Sequence, residues 1–157
     1  MTNTKQKTAI IRNYVIVCGW ALVIFTLSHQ PATVSSGQSG AIVGHLQQAM
    51  PGVSTALLTF LVRKSAHIIA YFILGILMYR ALRISIRHWR ARTVASLALL
   101  SCSLYAVTDE IHQLFVPGRS GELRDVMIDS IAALVGVGLC IWLMRRWVLR
   151  KSTATND

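Results

Sequence analysis

DEIHQLFVPGRSGELRDVMID, residues 109–129, is the stretch that decides how this chain folds. Five of the six acidic residues, Asp109, Glu110, Glu122, Asp125 and Asp129, fall within these 21 positions. Apolar runs flank it, about Thr93 to Phe115 before it and about Val126 to Met144 after it. Each is long enough to cross a hydrocarbon core about 30 Å thick, which takes about 20 helical residues. The stretch is therefore the junction between two membrane helices. Charge at such a boundary is costly to bury, so a chain that concentrates its carboxylates there uses them there.

Composition agrees. The 157 residues are 54% hydrophobic and only 14% charged, with a mean hydropathy of +0.52. A soluble domain carries about a quarter charged residues. The net charge of +10 would suit a nucleic-acid partner. However, the Lys and Arg residues flank apolar runs in short clusters, and no basic stripe is interleaved with aromatics, which excludes nucleic acid. Cys18, Cys102 and Cys140 all lie inside apolar runs, without metal-ligand spacing, and are expected as small buried hydrophobes.

Two further apolar runs precede the junction. The first, about Thr8 to Leu27, follows Lys5 and Lys7 and lacks a small-x-small cleavage site, so it is expected as a retained membrane helix. The second, about Val53 to Tyr79, is interrupted by Arg63 and Lys64. Lys64 lies about 24 Å along a helix from Arg80, near the far membrane boundary and within snorkelling reach. Between these runs, Pro31, Ser35-Ser36-Gly37 and Pro51-Gly52 mark breaks. Ile42, Leu46 and Met50 repeat every four residues there, which predicts a short helix lying on the membrane interface or packed on its neighbours.

The expected fold is all-α: a single domain over residues 1–157, built as a bundle of four transmembrane helices. Their expected limits are about 8–28, 53–80, 93–115 and 125–146, with a short interfacial helix between the first two and a polar tail at 151–157. Lys5, Lys7 and Arg12, then Arg80, Arg83, Arg87, Arg90 and Arg92, then Arg145, Arg146, Arg150 and Lys151 all fall on one side. The other side holds only Arg63, Lys64, Arg119 and Arg124. The positive-inside bias places both termini in the cytoplasm and the acidic junction outside, in the cell membrane.

Helical spacing then groups the polar residues. Lys64, His67 and Tyr71 stand at i, i+3 and i+7; Asp109, His112 and Gln113 at i, i+3 and i+4, with Tyr105 extending that face inward; Asp125 and Asp129 at i and i+4. Polar faces at one membrane depth turn toward each other or toward water, so a shared outward pocket is expected. His67, Asp109, His112, Asp125 and Asp129 are its candidates for acid–base catalysis. Lys64, Tyr71, Glu110, Gln113, Arg119 and Arg124 are its candidates for ligand binding, the cations matching a phosphate or carboxylate.

Each residue also has a structural alternative. Arg63 and Lys64 suit interfacial anchoring, His67 a hydrogen bond to a neighbouring helix, and Asp109 and Asp125 ion pairs with Arg119 or Lys64. Asp125 also favours the positive end of a helix dipole, and Glu122 reads as an exposed loop charge. Pro117-Gly118 predicts a tight turn that either aims Arg119 inward or merely joins two helices. The oxygen and imidazole groups are of the type that Mn or Zn accepts. No His-x-x-x-His or cysteine-based spacing supports a site, so no metal and no cofactor is assigned.

Three segments resemble the VanZ-like family of small bacterial membrane proteins: Arg63-Lys64-Ser65-Ala66-His67-Ile68-Ile69-Ala70-Tyr71, Thr108 through Arg119, and Asp125-Val126-Met127-Ile128-Asp129. Ser28-His29-Gln30-Pro31 resembles the family's Ser-rich Gln-Pro turn, with His29 in place of a small residue. The resemblance covers roughly residues 13–144. It implies a membrane protein of the cell envelope and a link to low-level resistance to teicoplanin, a glycopeptide acting at the outer membrane face. It names no reaction.

Three functions fit, besides a purely structural or assembly role. The first is binding of an anionic lipid-linked or surface ligand, with membrane lipids or a lipid-linked cell-wall precursor as partner. The second is acid–base or metal-assisted hydrolysis or transfer on a lipid phosphate or glycan. The third is proton-coupled transport through the carboxylates and His67, for which four helices need a homo-oligomer.

Overall fold

A computed structural model describes residues 3–153 as five helices: α1 (Asn3–Ser28), α2 (Ala32–Ala49), α3 (Thr55–Ser85), α4 (Ala91–Gln113) and α5 (Leu123–Thr153). All but α2 are long and apolar enough to cross a membrane. No strand occurs among the described residues.

Local chemistry sets the helix limits. Ser54 caps α3, its hydroxyl accepting from Leu57 N–H at 3.3 Å. At its other end α3 runs past Tyr79 to Ser85, because Ala81 and Leu82 continue the apolar face against the bundle. The last turn of α4 tightens into i→i+3 bonds, from Phe115 N–H to His112 C=O (3.0 Å) and Val116 N–H to Gln113 C=O (3.0 Å). These satisfy carbonyls that a helix end leaves orphaned. The α5 helix continues through Thr153, into the stretch expected as a polar tail; residues 154–157 lie outside the described part.

The segment between the first two spans differs from expectation. Ser35-Ser36-Gly37 does not break the chain; α2 starts directly after Pro31 and runs through it. Packing on α3 outweighs the weak helix propensity of these residues. The packed face is Ser39, Val43, Leu46 and Gln47, while Ile42 and Met50 from the expected stripe are exposed. Gln47 locks the corner, donating to Val53 C=O (2.9 Å) and accepting from the Thr55 hydroxyl (3.1 Å).

The widest interface joins α3 and α5. Its closeness rests on two glycines. A Cβ at Gly136 would stand 2.1 Å from the Phe72 carbonyl oxygen, and one at Gly75 2.3 Å from that of Ala133. Lipid tails supply no hydrophobic drive between helices, so such backbone approach and the dispersion contacts it allows hold the pair together. Tyr71, Leu74, Cys102, Ala106, Ala132 and Ala133 form the core beside it. On the other flank α1 is tied down by Trp20, whose Nε1–H donates to Ala70 C=O (2.9 Å), and by the Tyr105 hydroxyl, which donates to Ala21 C=O (2.6 Å). Val15, Leu22, Ile69, Leu104 and Leu134 point outward, as a lipid-facing belt requires. Cys18 belongs to that exposed belt; only Cys102 and Cys140 are buried.

The helix directions gather the charges at two ends. Contacts of Ser28 with Asp109 and of Lys64 with Asp125 bring together the C-terminal ends of α1 and α4 and the N-terminal parts of α3 and α5. At the other end Arg80, Arg83 and Arg146 line one apolar recess, where Arg146 lies over the Trp142 ring at 4.1 Å.

Candidate functional site

The loop from α4 to α5 builds the acidic end. Arg119 N–H donates to Val116 C=O at 3.1 Å across Pro117-Gly118, and Gly118 has φ 73°. Proline at the second position and a left-handed glycine at the third define a type II turn. The turn delivers Arg119 to the end of α1, where Nε donates to Gln30 C=O (3.0 Å) and Nη2 to Leu27 C=O (3.0 Å). A cation on the final carbonyls of a helix also meets the negative end of its dipole. Burial pulls the Arg119 guanidinium below its ordinary pKa, and the charge on Arg63 adds to this. Glu110 anchors the far side of the loop: its Oε2 accepts from Glu122 N–H (2.9 Å) and its Oε1 from the Gln113 amide (3.2 Å). Gly121 lets the backbone pass there, since a Cβ would stand 2.5 Å from the Glu110 carbonyl oxygen.

Below the loop is a cavity of about 260 Å³ between α3, α4 and α5. Lys64, His67, Glu110, Gln113, Arg119, Asp125 and Asp129 line it, as do Arg63, Phe60 and Glu122. Lys64 Nζ is hydrogen-bonded to Asp125 Oδ2 and lies 5.5 Å from the Phe60 ring centroid. His67 Nδ1 stands 3.7 Å from Asp129 Oδ2, an ion-pair rather than a hydrogen-bond distance. Asp125 leaves Oδ1 buried with no hydrogen-bond partner.

Other candidates lie elsewhere. Asp109 is buried behind the cavity, its Oδ2 accepting from the Ser28 hydroxyl (2.8 Å) and the Gln113 amide (3.4 Å). Tyr71 is wholly buried beside Tyr105, with its hydroxyl unpartnered. His112 turns away to α1, where its Nε2 lies 3.0 Å from His29 Nδ1 and its ring packs on Phe25. Successive helix positions differ by about 100°, so an arc holding Asp109, His112 and Gln113 is wide enough to face two neighbours at once. Arg124 is exposed and pairs with Glu122 at 3.1 Å. Glu122 is a loop residue whose backbone N–H is held by Glu110 and whose carboxylate accepts from Ser120 and Arg124.

Arg63, expected as an interfacial anchor, and Ser28, noted only within a turn, are the residues that sequence reasoning did not assign to the site. Arg63 was legible in principle, standing four residues before His67 and hence on one helical face with it. Ser28 carried no such signal, because its partner is 81 residues away. Among the described residues no group of three or more His, Cys, Asp or Glu is placed to hold a metal ion.

The chain matches the family described as VanZ/LLP1 over residues 14–145. It belongs to that family. No curated protein and no solved structure gives a match. The match covers all four candidate spans of this VanZ/LLP1 protein in whole or large part, and the entire acidic end.

Proposed function

We propose that this VanZ/LLP1 protein binds the anionic head group of a lipid-linked or surface ligand at its acidic end. That end faces outward from the cell membrane, with both termini in the cytoplasm, as the distribution of Lys and Arg favours. One observation carries the proposal. Arg63 and Arg119 stand together at the cavity wall, and neither has a carboxylate within ion-pair distance among the described residues. Two guanidiniums facing one cavity are stabilised when an anion sits between them; Arg119, whose Nε and Nη2 hold the α1 carbonyls, keeps Nη1 for it, and the Arg63 fork matches an oxyanion. Lys64 and Arg124 recede in this reading, because Asp125 and Glu122 already neutralise them. In an envelope setting, holding such a head group alters how membrane-bound wall precursors are presented to a glycopeptide such as teicoplanin.

Lipid mass spectrometry of the purified protein tests this. A lipid whose head group carries a phosphate or carboxylate and that co-purifies with wild type is expected to be lost in Arg63→Ala and kept in Arg124→Ala. The same lipid in equal amount on Arg63→Ala would refute the proposal. A second reading, acid–base hydrolysis or transfer on the bound ligand, draws on His67 beside Asp129 at the cavity wall. It predicts that His67→Gln keeps the lipid but stops its conversion.

A further inference from the structure

Arg63, His67 and Arg119 line two spaces at once: the polar cavity and an apolar groove of about 180 Å³ between α1, α2 and α3. Leu27 and Ile42 form the groove's outer walls, and Val62, Ala66 and Ala70 form its α3 side. Leu27 and Ile42 are both about half exposed, so the groove is open on the flank that meets lipid. The guanidiniums therefore mark a seam. An occupant that crosses it has an oily part on one side, an oxyanion at the seam and a polar part beyond.

The wall beyond the seam is acidic. Of Glu110, Glu122, Asp125 and Asp129, which line it, Lys64 pairs with Asp125 and Arg124 with Glu122, leaving Glu110 and Asp129 with no lysine or arginine partner among the described residues. Buried Oδ1 of Asp125 still lacks a donor. At the low dielectric of such a site a second anion is repelled by these carboxylates and an ammonium is attracted.

Building on the head-group reading above, we infer that the anionic group held there is the phosphate of a zwitterionic phospholipid. Its acyl chain lies in the groove, its phosphate between Arg63 and Arg119, and its protonated amine toward the carboxylates. The charge order of the site, apolar then cationic then anionic, is the reverse image of such a molecule.

Native mass spectrometry of the detergent-purified protein with three added lipids of equal chain length tests the inference: phosphatidylethanolamine, its N-acetyl derivative and phosphatidylglycerol. Phosphatidylethanolamine is expected to bind about fivefold more tightly than the other two, equivalent to about 1 kcal/mol for one partly exposed ion pair. The double variant Glu122→Gln/Asp129→Asn should erase that preference, and Ala66→Leu should weaken all three lipids by narrowing the groove. Equal or tighter binding of the N-acetyl lipid to wild type overturns the inference without any substitution, and so without any question of folding. If Arg63→Ala still weakens every lipid in that case, the head-group reading survives and only the amine is wrong. Unchanged binding of all three lipids to Arg63→Ala removes both.

Discussion

Gly136 and Gly138 stand two residues apart on α5, yet adding one methyl group at each should move stability in opposite directions. Alanine in a helix interior is favoured over glycine by about 1 kcal/mol. At Gly138 a Cβ meets nothing within 4 Å, so Gly138→Ala should gain about that amount. At Gly136 the Cβ would lie 2.1 Å from the Phe72 carbonyl oxygen, a backbone atom that no rotamer change can move. Ordinary contact begins more than 1 Å further out, so α3 and α5 must part by about that distance. Overpacking of this kind costs about 1–3 kcal/mol or more, and here it strikes the widest interface in the bundle. The propensity gain is common to both variants, so they should differ by the overpacking cost, about 1–3 kcal/mol. At roughly 2–4 °C per kcal/mol for a chain of this size, their melting temperatures should lie about 2–12 °C apart. Thermal unfolding in detergent, followed by circular dichroism, measures the difference. If Gly136→Ala melts at or above Gly138→Ala, the close crossing does not hold the bundle together. Gly75→Ala should resemble Gly136→Ala, and the two together should cost less than their sum, because one separation of the helices relieves both overlaps.

Lys64→Met leaves Asp125 unpaired beside other carboxylates; at 25% and 12% side-chain exposure the pair is partly screened, so a loss of about 1–3 kcal/mol is expected. Adding Asp125→Asn should restore most of it, and strictly additive losses in chemical unfolding would show that the pair is not coupled. Gly118→Val forces a β-branched residue to φ 73° and should cost about 1–2 kcal/mol, whereas Gly118→Asn should cost clearly less; equal melting temperatures would refute the turn's role in seating Arg119. Ser28→Ala removes the hydroxyl that serves buried Asp109 and should lower stability by about 1–3 kcal/mol, and an unchanged melt would mean that Asp109 is satisfied otherwise. Orientation has its own measurement. Ser120→Cys in intact cells should react with a membrane-impermeant maleimide, and reaction only after permeabilisation would invert the topology.

Local patterns in the chain were enough to establish the all-α class, the four spans and the collection of charge at two ends. Hydropathy and the cost of burying charge act on consecutive residues, and consecutive residues are what a sequence displays. The Pro117-Gly118 turn and the helical face shared by Lys64 and His67 were legible for the same reason. The path of α2 through Ser35-Ser36-Gly37 was not, because packing on α3 overrode local propensity.

Tertiary structure alone decided which of the polar residues meet. It sent His112 to His29 and kept Gln113 at the cavity, although they are neighbours in the chain. It paired Lys64 with Asp125 across 61 residues, turned Arg119 back onto the carbonyls of α1, and left Arg63 beside it without a carboxylate. Side-chain spacing says which residues share a face, but which neighbour that face meets is set by packing between helices, as where Gly75 and Gly136 let α3 and α5 approach closely. That is a property of two distant backbones in contact, and no local pattern encodes it.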